Sequence, residues 1–390
     1  MRSALAMLSV LAALVAVTVL GLGFGAFLAP TSSLFAIVGS MVWAPFGPFL
    51  LLAVLVTFTI GVVVRIRGLR RLGGAVLALS ALGIAGAGFI LARIVFAAME
   101  SGATIDLPAT FRLGAMDRPA PDIIETFRTA EATELRAAIY LSPATGESAP
   151  VIAYIHGGGF MTGTNTETAA DLRWFADRGW LVISVEYRLF GPDTPTWDRA
   201  PDDVACALVW IAGNAARFGG DPDLIALLGD SAGGNLAINT GFAAAAGKAT
   251  SSCGSDIPVP RAIAVLYPAV DPISIYKDGF PIPGFEPRML IEGYIGGSPD
   301  AFPERVAAIS SATFLTPEAP PTLIVLPDSD SLVVAPGTLA FVRDAEASGL
   351  DLELVRIPFA NHVFNQIAAN SLGNQIGRTV RLRFLAQHVR

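Results

Sequence analysis

Between Met1 and Glu100 the chain carries six Arg, one Glu and no Lys or Asp. The uncharged runs left between them are long. Ala4–Ala29 has 26 residues and Leu34–Val64 has 31. At about 1.5 Å per helical residue, each exceeds the ~30 Å hydrocarbon core of a bilayer. A third run, 75–98, is interrupted only by Arg93, close enough to one end to snorkel. A cleaved leader fits poorly, because the first run is too long and Phe27-Leu28-Ala29 lacks the small residues of a cleavage site. A buried soluble bundle would need polar faces, and these segments have none. The expectation is a membrane region, 1–100, with spans at about 4–29, 43–64 and 75–98 and the lipid bilayer as its partner. Pro45 and Pro48 would sit near the outer end of the second span. The stretch RIRGLRR holds four Arg between spans two and three, whereas PTSS between spans one and two holds none. The positive-inside rule then puts the N-terminus in the cytoplasm and everything after the third span outside it.

Residues 101–390 have the opposite character. Subtracting the first hundred from the totals leaves 26 − 6 = 20 basic and 33 − 1 = 32 acidic residues. An acidic surface without a basic face excludes nucleic acid as a partner. Cys206 lies in the apolar pattern DDVACALVWI and Cys253 in the loop-like SSCGSD. Nothing in the pattern brings them together, so no bridge is expected. From residue 122 onward, apolar runs alternate with amphipathic stretches. DIIETFRTA and ELRAAIYLS read as a strand pair with a turn near Ala132-Thr133. VIAYIH, WLVISVEY, IALLG, RAIAVLYP, PTLIVLP and LDLELVRIP read as further strands. Helical patterns fall at 167–178, 200–217, after Ser231, at 336–348 and at 363–387. Such alternation predicts an α/β fold, a mostly parallel sheet with helices on both faces. Functional residues should then follow the strand ends.

They do. Ser231 stands in G-D-S-A-G, directly after IALLG and before a helix. That is the strand–turn–helix setting of a nucleophile elbow, which needs small residues such as Gly229, Gly233 and Gly234 around the turn. With 39 Gly in the chain the five-residue match is weak alone. The run HGGGF, 156–160, follows VIAYI, and only three histidines exist in the chain, so it is far more specific. Successive glycines expose main-chain N–H groups that, with Ala232, could hold an oxyanion. A phosphate loop would want a following Lys and helix, which MTGTNTET does not supply. A serine nucleophile needs a base. His156 is committed to the glycine turn and His388 is near the C-terminus, which leaves His362 in FANHVF after the last strand. PDSDSLV offers Asp328 and Asp330, either of which could orient that base.

HGGGF, EYRL, WIAGNAARFGGDPDLIALLGDSAGGNLA, PDSDSLV and ANHVF together resemble the hormone-sensitive-lipase-like esterases of the α/β-hydrolase superfamily, over about 120–385. The resemblance implies an α/β-hydrolase fold without metal or organic cofactor. It implies Ser231 as nucleophile, His362 as base and donors at Gly158, Gly159 and Ala232. His156, Gly157 and Asp230 are read as supporting the loops. It aligns Asp330, with Asp328 as runner-up, to the acid position. Glu186 in EYRL and the following FGP depart from the family pattern and concern loop support. The family's N-terminal cap has little chain here to form it, about 101–121, so a lid is expected from 271–311. The whole reads as a membrane-anchored serine esterase. Its catalytic domain, 101–390, would act on short-chain, acetyl or lipid esters. An acyltransferase or deacetylase of envelope lipids or glycans, and a non-catalytic binding domain, are the alternatives. A trypsin-like protease is excluded, because G-D-S-A-G replaces G-D-S-G-G-P and the triad order differs.

Overall fold

Uncharged runs long enough to satisfy every backbone group internally form helices here. The computed structural model describes residues 2–112, 119–143, 148–254 and 257–389. Helix α1 spans Arg2–Ala26, α2 Leu34–Met41, α3 Trp43–Ile66 and α4 Arg70–Glu100, followed by the short α5, Leu107–Thr110. Three of them, α1, α3 and α4, are long and apolar enough to cross a membrane. The Ser33 hydroxyl caps the start of α2 at the Ala36 N–H (3.2 Å), and the second apolar run breaks at Val42, after which a new helix starts at Trp43. Pro48 is accommodated inside α3. Small residues let α3 and α4 approach: a Cβ on Gly61 would lie 3.0 Å from Leu77. A hydrogen bond between the Thr57 and Ser80 hydroxyls (2.8 Å) joins the same pair.

The remaining elements are β1 (Ile123–Ala130), β2 (Thr133–Tyr140), β3 (Ala149–Ile155), α6 (Ala169–Ala176), β4 (Leu181–Val185), α7 (Arg199–Asn214), β5 (Gly220–Asp230) and α8 (Ala232–Ala245). After these come β6 (Ala262–Leu266), α9 (Pro272–Asp278), α10 (Pro287–Ile295), α11 (Pro303–Ile309), β7 (Thr322–Pro327), α12 (Ala335–Ala347), β8 (Leu352–Ile357) and α13 (Leu372–His388). The strands make one eight-stranded sheet in the order β1-β2-β4-β3-β5-β6-β7-β8. Pairings from β4 through β7 are parallel, while β1 and β2 are antiparallel additions at one edge. Strands β3, β4, β6 and β7 are buried at every residue, as their unbroken apolar runs demand. The β1–β2 connection is a two-residue turn with both φ positive, Glu131 (50°) and Ala132 (65°).

Two compact units result. One contains the described residues of Met1–Ala115 with Pro327–Ser331 and Arg356–Ile376; the other contains the rest. Of the stretch 101–121 before the first strand, residues 113–118 lie outside the described residues. Two expectations need correction. The helix read at 363–387 begins only at Leu372. Val363 has φ of 53°, and the Ser371 hydroxyl accepts from the Asn374 N–H (3.1 Å), so the preceding apolar residues belong to a loop. Cys206 and Cys253 are joined by a disulfide with Cα atoms 5.2 Å apart. The loop after α8 folds back onto α7, where Ser252 donates to Asp202 through both its N–H and its hydroxyl (2.8 Å each). Arg128 of β1 bonds the same carboxylate at 2.7 Å. Such tertiary pinning leaves no periodic signal.

Candidate active site

Strand β5 ends at Asp230 and α8 starts at Ala232, so the whole reversal falls on Ser231. Its φ of 54° and ψ of −117° are strained for a residue with a side chain. The turn is that tight because the strand and helix nearly touch. A Cβ on Gly233 would lie 2.1 Å from the Ile155 carbonyl oxygen, and one on Gly229 would lie 2.4 Å from that of Gly233. The Ser231 N–H donates to Leu266 O (3.0 Å), and its carbonyl accepts from Asn235 and Ala269 (3.1 Å each). The first turn of α8 leaves main-chain donors and the positive end of the helix dipole beside the serine.

Asp230 beneath the turn is buried and held on both sides. Arg381 of α13 donates to Oδ1 and the Tyr154 hydroxyl of β3 to Oδ2, each at 3.1 Å. Burial first, and then the Asp230 charge, raise the Tyr154 pKa well above its ordinary value, so this hydroxyl stays a donor. Neither partner was visible in the motif.

The glycine loop runs alongside. Gly158 has φ of 102°, and a Cβ there would lie 2.0 Å from the Thr162 carbonyl oxygen. A Cβ on Gly157 would sit 3.5 Å from that of Ser231. His156 is a brace: its Nδ1 lies 2.8 Å from the Gly157 carbonyl and its ring stacks on Tyr187 at 4.4 Å. Burial pushes its pKa down to about 4, which makes the neutral ring, with Nδ1–H donating, the form present near neutrality. The Tyr187 hydroxyl reaches the His156 and Gly157 carbonyls (3.0 and 3.2 Å), and neighbouring Arg188 forks onto Asp203 (2.8 and 3.0 Å). The EYRL stretch thus supports the glycine loop, while Glu186 accepts from the Arg136 N–H. Residues 271–311 form α9, α10 and α11, whose apolar faces join the main core. Leu290 of α10 lies against Gly159, and Tyr294 stacks on Phe160 with centroids 3.8 Å apart. A pocket of about 930 Å³ beside them is lined by Met161, Phe190, Arg288, Met289 and Glu292 among others.

Asp330 and His362 lie in the unit that also contains α1–α4. The structure brings these two together: Nδ1 is 2.7 Å from Asp330 Oδ2, and the carboxylate is fully buried. Asp328 points elsewhere and pairs with Arg356 at 2.7 Å. Ser231, Ala232 and the glycine loop lie in the other unit. Among the described residues, no group of three or more His, Cys, Asp or Glu side chains gathers to hold a metal ion.

A family model described as BD-FAE matches residues 138–342, just over half of the chain. The chain belongs to the BD-FAE family. Carboxylesterase NlhH of Mycobacterium tuberculosis is 35% identical over 136 residues, covering 33% of this chain and 42% of the relative. Esterase LipC of the same organism is 28% identical, covering 56% and 53%. Ethyl acetate hydrolase of Pseudomonas putida is 26% identical, covering 60% and 72%. This BD-FAE member spans about half the length of most of the curated relatives it matches. Esterase 2 of Thermogutta terrifontis, solved with butyrate bound, superposes with a TM-score of 0.56 at 22% identity, covering 70% of this chain and 95% of that one. These likenesses bear out the α/β-hydrolase fold and the resemblance to hormone-sensitive-lipase-like esterases.

Proposed function

We propose that this BD-FAE protein is a membrane-anchored serine esterase. One observation carries the reading: Ser231 is held in a strained turn at the head of α8, with Gly157 of the HGGG loop against it. The curated carboxylesterase relatives support it, as does the pairing of buried Asp330 with His362. In the proposed cycle the Ser231 hydroxyl attacks the ester carbonyl carbon while His362 Nε2 takes its proton. The N–H groups of Gly158, Gly159 and Ala232 hold the resulting oxyanion. Collapse breaks the bond to the alcohol, which leaves with the proton from His362, and an acyl-serine remains. Water, deprotonated by the same base, then releases the acid and restores the serine. Asp330 keeps Nδ1 protonated throughout.

The ethyl acetate hydrolase relative supports small acyl groups as substrates. We propose α10 as the wall of the acyl site and 271–311 as its cover. Residues 1–100 would be the anchor and 101–390 the catalytic domain, outside the cytoplasm. Two observations support that side: four Arg between α3 and α4, and the Cys206–Cys253 disulfide, which belongs in an oxidising compartment. Protease added to intact spheroplasts should remove the domain; protection until lysis would reverse the orientation. The test of the chemistry is Ser231→Ala in membranes, assayed with a short-chain chromogenic ester. Unchanged hydrolysis would sink the assignment.

A further inference from the structure

The loop bearing His362 is strained on both sides, at Phe359 (φ 58°) and Val363 (φ 53°). Such conformations persist only where the surroundings over-determine them. The surroundings here come from the N-terminal helices. Phe359 meets Phe27, just after α1, edge-on at 5.0 Å and Phe89 of α4 at 6.4 Å. Asn361, beside the base, is 2% exposed and fully engaged. Its Oδ1 accepts from the Ser331 N–H and hydroxyl (3.0 Å each) and from the His362 N–H (2.7 Å). Three donors around one atom identify it as the oxygen, so Nδ2 must face the remaining neighbour. That neighbour is the Ser40 hydroxyl in α2, 2.7 Å away and 321 positions earlier. The Ser40 proton is directed at the Ala36 and Ile37 carbonyls (3.0 Å each), which leaves a lone pair for Asn361. Ser331 directly follows Asp330, so one buried amide ties the acid's backbone to the base's backbone, and Ser40 sets how that amide is turned.

We propose that Ser40, a residue of the N-terminal membrane segment, is a positioning residue for the esterase reaction, acting through Asn361 on the Asp330–His362 pair. The proposal rests on His362 being the base. Removing the Ser40 hydroxyl leaves Asn361 Nδ2 buried without an acceptor, and the amide can then relieve itself only by turning away from Ser331 and His362. The nucleophile's turn and the substrate pocket have no part in this, so the loss should fall on turnover.

The experiment uses the full chain in detergent or nanodiscs with a short-chain chromogenic ester. Ser40→Ala is expected to lower kcat about tenfold to a hundredfold with KM unchanged within about twofold, the scale of a small misplacement of a catalytic group. Ser40→Thr, which keeps an oxygen acceptor, should restore most of it, and Ser40→Cys, a weaker acceptor of similar size, should fall between. Thr57→Ala removes a different buried hydroxyl contact in the same helices and should leave kcat unchanged. A kcat for Ser40→Ala equal to that of Thr57→Ala overturns the proposal. If Ser40→Ala does not fold, a Ser40→Cys enzyme with wild-type kcat does the same. His362→Ala separates the two layers: full activity there refutes the base itself, whereas an inactive His362→Ala beside an unaffected Ser40→Ala refutes only the brace.

Discussion

The turn around Ser231 and the loop around His362 are built by opposite means. The first is steric. Gly229 and Gly233 leave no room for a side chain, and the strand, turn and helix follow one another without a gap in sequence. The second is polar and assembled from afar: Asp330, Ser331, Asn361 and Ser40 meet through hydrogen bonds that cross 30 to 321 positions. A close-packed turn tolerates few substitutions of any kind. A hydrogen-bonded loop tolerates changes of shape but fails when one donor or acceptor is removed.

The contrast can be broken most forcefully at Asp330. Asp330→Asn preserves the shape of the loop but presents a donor where Nδ1–H needs an acceptor, and kcat is expected to fall roughly ten-thousand-fold with little loss of stability. Activity within tenfold of wild type, in a steady-state assay, would mean that the pair is only structural. Arg381→Met tests the other region. It strands the buried Asp230 carboxylate, so chemical denaturation should show a loss of about 3–5 kcal/mol. Near-unchanged stability would mean that Asp230 is satisfied by Tyr154 alone.

A smaller effect is expected from His156. Its folded pKa of about 4 lies below the ordinary 6.5. As pH falls through that window the unfolded chain takes up a proton that the folded chain refuses, so stability declines towards acid by about 3 kcal/mol at most. Denaturant midpoints at pH 7 and pH 4.5 should show the decline, and His156→Gln should flatten it. The smallest effect belongs to Asp328→Asn. That carboxylate pairs with a half-exposed Arg356, and its loss should cost less than about 1 kcal/mol and leave kcat alone. A large fall in turnover there would transfer the acid role from Asp330.

The sheet and the tight turn at Ser231 were legible because their signals are local. Buried parallel strands are continuous apolar runs, as in VIAYI and PTLIVLP, and a turn without side-chain room announces itself as neighbouring glycines. The choice between Asp328 and Asp330 came from family resemblance and not from the residues, since both occupy the same polar turn. Arg381, Tyr154, Asn361 and Ser40 carried no pattern at all. Each is one polar residue whose partner is distant in sequence, and a single buried hydrogen bond has no period. The disulfide escaped for the same reason: it is decided by contacts made after the chain has folded back on itself.

The Asp230–Arg381 pair also orders events in time. Synthesis runs from the N-terminus, and 151 residues separate the carboxylate from the guanidinium that neutralises it. At ~5–20 residues per second, the turn at Ser231 waits on the order of ten seconds for its counter-charge. Over that interval the nascent chain carries the Asp230 carboxylate beneath Ser231 without its counter-charge. The turn becomes a finished element only when α13 arrives.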